Sequence, residues 1–194
     1  MRGGITVNLP NLLSLSRIVF MPLLFWLLYN GDPYVFLAAY ILIGSTDAFD
    51  GILARRLKMV SSLGKALDSV ADLVFYISTA YFIYYLFPQV IIANQAYLIV
   101  FFSLLGFSFL LSGFLFKKPV MMHTAILRFN GVLVYLVLIA SFWMDTTLFA
   151  RVTLLSYMVG FSEEILIFLL YGHVDPDTKT IFHLSAQDKI KPAV

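Results

Sequence analysis

Residues 47–72 read DAFDGILARRLKMVSSLGKALDSVAD, and this stretch decides how the rest of the chain is understood. It sets four aspartates, Asp47, Asp50, Asp68 and Asp72, in otherwise lipid-like sequence. On insertion scales an Asp at mid-membrane costs roughly 2.5–3.5 kcal/mol, so four cost on the order of 10 kcal/mol. That is comparable to the net stability of a whole domain. Something cationic must offset it.

The spacing shows how the acids are grouped. Gly51, Ala54 and Arg55 follow Asp47 at helical intervals and Asp50 lies three residues after it, so on a helix they share one face. Gly64, Asp68 and Asp72 recur every four residues on the next helix. The basic segment between them is short, which predicts antiparallel neighbours whose polar faces meet. Like charges that close do not all stay ionised without a partner. Hard oxygen donors in this number suit a divalent cation such as Mg²⁺, Mn²⁺ or Ca²⁺. The absence of His and Cys from the cluster argues against zinc. Gly51, Ala54 and Gly64 remove bulk from the same faces, and the planar fork of Arg55 matches phosphate oxygens.

Working outward, the 194 residues are 61% hydrophobic and 12% charged, which excludes a water-soluble domain. The expected fold is an all-α integral membrane protein. Six apolar runs approach the length of about 20 residues that a span requires: 12–29, 34–57, 63–87, 96–116, 124–144 and 151–171. Of the 13 Lys and Arg residues, all but Arg151 sit at or near one set of alternating ends. The positive-inside rule then places both termini in the cytoplasm. The expected organisation is a single membrane domain over 1–194, with 1–11 as a short interfacial helix retained at the N-terminus and 172–194 as a polar cytoplasmic tail. Asn8 is a candidate cap for the first helix, and Pro22 is expected to kink it. There is no Cys, hence no disulfide framework.

The 47–72 stretch resembles the signature of the CDP-alcohol phosphotransferase family, Dx2DGx2ARx8Gx3Dx3D, with all eight fixed positions matched. At residue frequencies of roughly 5–7% per position, chance agreement is on the order of 10⁻¹⁰ per window. The resemblance implies transfer of a phosphoalcohol from a CDP-alcohol lipid to a small polar acceptor, with release of CMP, by a membrane-embedded homodimer. It implies that Asp47, Asp50 and Asp68 ligate metal, with two Mg²⁺ or Mn²⁺ ions expected, and that Asp72 lies near the metals as general base. Gly51, Ala54 and Arg55 would contact the CDP moiety, and Gly64 would permit close packing. No nucleic-acid partner is expected.

The acceptor is less sharply written. Within the family, Ser after the third aspartate, here Ser69, goes with many serine and inositol enzymes, whereas Asn8-Leu9-Pro10-Asn11-Leu12 with Arg17 looks more like the opening of phosphatidylglycerophosphate synthases. Glycerol 3-phosphate is the first expectation, with serine or an inositol compound as the alternative. Lys117, Lys118, His123 and Arg128 enter the fifth run and are candidate ligands for an acceptor phosphate. Lys117 and Lys118 also fit ordinary topogenic charges, and Arg128 also fits an ion pair with Glu163 or Glu164 at similar depth. A different class, a cation transporter, would use intramembrane acids too. Against it stand the clustering of the acids, the repelling charge of Arg55 and the lack of an inverted repeat.

Overall fold

The computed structural model describes residues 9–56, 62–117, 120, 122, 124–172, 174–175 and 178–184, and all regular structure among them is helical. The chain divides into two compact units, Met1–Leu86 and Phe87–Val194.

The first unit holds α1 (Leu9–Val19), α2 (Met21–Asn30), α3 (Pro33–Arg56) and α4 (Ser62–Leu86). The first apolar run is thus broken at Phe20, as Pro22 leads one to expect: it has no N–H to offer the Ile18 carbonyl, and its ring crowds the preceding turn. Phe20 N–H still donates to Ser16 O at 2.9 Å, so the break is a joint and not a loop. After α2 the chain turns at Gly31, where an added Cβ would stand 2.8 Å from the Leu27 carbonyl oxygen; only glycine fits. Asp32 then accepts from the Tyr34 N–H at 2.8 Å and the Val35 N–H at 3.3 Å, starting α3 with Pro33 in its first turn.

Aromatic rings join α2, α3 and α4. Phe36 meets Phe82 edge-on at 5.1 Å between ring centroids, Tyr40 stacks on Phe75 at 5.2 Å, and Phe25 meets Phe82 at 5.0 Å. The buried Tyr40 and Thr79 hydroxyls lie 3.0 Å apart and set the register of α3 against α4. Helices α3 and α4 are therefore neighbours, but α1 packs against both of them. Helix α1 thus lies against both helices that carry the 47–72 stretch.

In the second unit, α5 (Pro88–Ala93), α6 (Gln95–Phe116) and α7 (Ala125–Ala140) each pack or connect around α8 (Thr147–Tyr171). Residues 88–95, expected as a plain break, contain the short α5. Its end is organised by the buried Asn94, whose amide donates to Val90 O at 2.8 Å and Thr147 O at 3.0 Å and accepts from Arg151 Nε at 3.2 Å. Arg151 also lies over the Tyr97 ring, 5.2 Å from its centre. Before α8, Asp145 accepts from the hydroxyl and the N–H of Thr147, which hold its carboxyl below the usual range.

A Cβ added at Gly106 or Gly113 would face open space. At Gly160, by contrast, a Cβ would lie 2.7 Å from Leu127 Cδ2 on α7, so the two helices meet closely there. Gly160→Val is expected to destabilise the protein by about 1–3 kcal/mol through overpacking, read as a lower melting temperature in detergent; Gly106→Ala should leave it unchanged.

Among the described residues, three helical segments are long and apolar enough to cross a membrane: Leu12–Asn30, Gln95–Phe116 and Thr147–Tyr171. The other three expected spans coincide with shorter apolar stretches, Pro33–Thr46, Val70–Leu86 and Ala125–Ala140. Large apolar side chains stand outward, Phe114 at 86% exposure among them, as suits a lipid-facing surface. Described residues of the tail pack on the helices before it. Lys179 O accepts from Ala125 N–H at 2.8 Å, and Val174, Ile181 and Leu184 pack on Met122, Ile167 and Phe168, with a 3-10 turn at Ile181–His183.

Candidate active site

Helix α4 is continuous through Gly64, Asp68 and Asp72, so the four-residue spacing does place all three on one face. Helix α3 runs unbroken through Asp47, Asp50, Gly51, Ala54 and Arg55 to Arg56. The side chains of those five residues lie outside the described part of the structure. Just before them, Ser45 Oγ donates to Leu42 O at 2.8 Å and Thr46 Oγ1 to Ile43 O at 2.6 Å, so both hydroxyls bond back to their own helix.

The cation required by the acids comes from α1. Arg17 reaches across to α4, its Nη1 donating to Asp72 Oδ1 and its Nη2 to Asp68 Oδ1. Its side chain is 1% exposed, whereas those of Asp68 and Asp72 are 42% and 29% exposed. The guanidinium thus approaches from the interior and the carboxylates keep an open side. Ser14, one turn earlier on the same face of α1, donates to the same Asp68 oxygen at 3.3 Å. Each contact to a carboxylate is charge-assisted, and a planar fork is well suited to spanning two acids one helical turn apart.

Arg17 and Ser14 are the site residues that sequence reasoning missed. The signal was present: a lone Arg inside an apolar run, with a Ser three residues before it, has to find acids somewhere. Spacing within the 47–72 stretch directed attention to α3 and α4, and α1 is more than fifty residues away in sequence from its partners.

The donor set suits a hard cation. The described site oxygens are carboxylates and a hydroxyl, and Asp68 and Asp72 already direct one oxygen each at a single positive group. Among the described residues no three acids, His or Cys converge, since only two of the four aspartates have described side chains.

In the second unit, Lys117 ends α6 in the left-handed conformation (φ 58°) and is exposed. Arg128 lies in the first turns of α7, also exposed. Lys118 and His123 lie outside the described residues. The expected pairing of Arg128 with Glu163 or Glu164 is not what the glutamates do. Glu164, 2% exposed, accepts from Met122 N–H at 2.7 Å, and Glu163 accepts from Thr180 Oγ1 at 2.6 Å and Ile181 N–H at 2.9 Å. Matching depth along two helices ignored the non-helical backbone beside them. Its N–H groups need acceptors wherever water is scarce, and the glutamates supply them.

The family model for CDP-alcohol phosphatidyltransferase matches residues 7–169, a range that takes in α1 with Arg17 and the entire 47–72 stretch. The chain belongs to this family. A CDP-diacylglycerol–glycerol-3-phosphate 3-phosphatidyltransferase of Rickettsia bellii is 38% identical over 68 residues, 34% of this chain and 38% of that protein. One of the same name from Aquifex aeolicus is 38% identical over 69 residues, 36% of this chain and 39% of that protein. A cardiolipin synthase (CMP-forming) of Rattus norvegicus is 44% identical over 79 residues, covering 38% and 26%. The similarity to these CDP-alcohol phosphatidyltransferases therefore spans under half the length of each.

Proposed function

We propose that the chain transfers a phosphatidyl group from a CDP-alcohol lipid such as CDP-diacylglycerol to the hydroxyl of glycerol 3-phosphate, releasing CMP. The observation that carries this reading is the family signature laid along two helices of one unit, with the Asp68 and Asp72 carboxylates brought to one point. The names of the similar proteins support the acceptor.

In this reading the acceptor oxygen attacks the lipid-side phosphorus. The bond from that phosphorus to the bridging oxygen breaks, and CMP departs with the electron pair. Asp72 takes the proton of the attacking hydroxyl. Asp47, Asp50 and Asp68 would hold Mg²⁺ or Mn²⁺, two ions in all, with Asp72 beside them. Bound there, such ions polarise the diphosphate and neutralise the charge that builds on the leaving group. Arg55 grips donor phosphate oxygens, and Gly51, Ala54 and Gly64 leave room for the nucleotide. Arg128, Lys117, Lys118 and His123 are assigned to the acceptor phosphate on grounds of charge.

The same reading takes the protein as a homodimer with six spans, both termini in the cytoplasm and the carboxylate site opening there. Support comes from the three long apolar segments, the three shorter ones and the distribution of Lys and Arg.

An acceptor panel is the direct test. Purified protein given CDP-diacylglycerol and Mn²⁺ is expected to release CMP at least about ten times faster with glycerol 3-phosphate than with serine, inositol or inositol phosphate, a modest demand for a site with dedicated charge partners. Arg128→Ala should raise the KM for glycerol 3-phosphate and leave that for the donor unchanged. Faster release with serine or inositol would replace the acceptor, in line with Ser69. Cation flux into liposomes without CMP release would replace the enzyme by a transporter.

A further inference from the structure

We propose that Arg17 is a built-in counter-cation for the carboxylate site, holding Asp68 and Asp72 while no divalent ion is bound and giving up their oxygens when one arrives. The proposal rests on the metal-binding reading of those acids and assigns Arg17 the part of a positioning residue.

Three observations carry it. First, the guanidinium already occupies one oxygen of each acid: Nη1 donates to Asp72 Oδ1 and Nη2 to Asp68 Oδ1. An oxygen shared between a guanidinium and a divalent ion would press two cations together where solvent screening is weak. The two states are therefore alternatives at those oxygens. Second, Arg17 is 1% exposed while its partners keep an open side, so it supports the acids from behind and leaves their outward approach clear. Third, Arg17 rides on α1, a helix jointed to α2 at Phe20, ahead of Pro22. A small movement at that joint withdraws Ser14 and Arg17 from Asp68 together, since both are on one face of α1.

The consequence is that Asp68 and Asp72 are never left without a cation, and that the affinity of the site is held down by internal competition. The ion then exchanges with solution instead of being trapped.

The test uses the full-length protein in detergent and Mn²⁺ as probe, with free Mn²⁺ followed by electron paramagnetic resonance. Arg17→Gln is expected to bind Mn²⁺ at least about ten-fold more tightly than wild type, and Arg17→Lys to fall between them. In EDTA the Gln variant should melt below wild type, and saturating Mn²⁺ should close the gap. In wild type itself, the peptide carrying Arg17 should be protected from phenylglyoxal in EDTA and modified several-fold faster with Mn²⁺ bound. Equal or weaker Mn²⁺ binding by both variants, or modification of Arg17 indifferent to Mn²⁺, would overturn the proposal while leaving the metal site standing. Absence of Mn²⁺ binding by wild type and by both variants would overturn the metal reading and with it the exchange, making the Arg17 pairs permanent.

Discussion

Asp72→Asn is expected to lower CMP release by about 10²–10⁴-fold, the range that a positioned general base supplies, with folding and donor binding intact. The structure explains why the two effects should separate. Arg17 Nη1 donates to Asp72 Oδ1, and the carboxamide oxygen of Asn can accept the same hydrogen bond at nearly the same volume, so the contact between α1 and α4 survives. The amide cannot take up the acceptor's proton. Asp72→Ala differs: it removes the oxygen as well, and leaves half of a buried guanidinium without its carboxylate. The Ala variant should therefore lose stability along with activity. CMP release, donor-analogue binding and melting temperature measured on the three proteins together decide the matter. Turnover by the Asn variant within a few-fold of wild type would remove Asp72 from the base role.

Chelation should be nearly as severe. EDTA is expected to bring CMP release down by about 10³-fold, on the several kcal/mol that charge neutralisation by a bound metal supplies to a transition state. Mg²⁺ or Mn²⁺ should restore it. Zn²⁺ should restore little, since the candidate ligands are all carboxylates. Full turnover in EDTA would remove divalent ions from the reaction and leave Arg17 and Arg55 as the cations of the site.

Helix positions were largely legible because they depend on local properties. The apolar runs correspond to α1 with α2, α3, α4, α6, α7 and α8, and the four-residue rhythm of Gly64, Asp68 and Asp72 needed only a continuous helix to become a shared face. The family match takes in the same stretch. What was not legible depends on partners distant in sequence. Arg17 advertises a need for acids without saying which, and the need is met fifty residues later. Glu163 and Glu164 advertise a need for positive partners, and the nearest cation at equal depth, Arg128, was the natural expectation. The partners are backbone N–H groups at Met122 and Ile181, which no side-chain pattern announces. The short α5 escaped for a related reason: Pro88 and Asn94 look like turn formers, yet Pro opens a helix well and the Asn94 side chain supplies the bonds that close it.

The rings of Phe36, Tyr40, Phe75 and Phe82 also bear on something other than stability. All four are at most 4% exposed, and they pack on one another along α3 and α4, the helices that carry the aspartates. Acids and a guanidinium sunk into a membrane form the beginning of a proton wire, and a cell that stores energy as an ion gradient loses it through any wire that runs to the far side. Among these four rings the one hydroxyl belongs to Tyr40, and it is engaged by Thr79 at 3.0 Å. On the proposed reading of the site, such an aromatic block would stand between its charges and any proton path along α3 and α4.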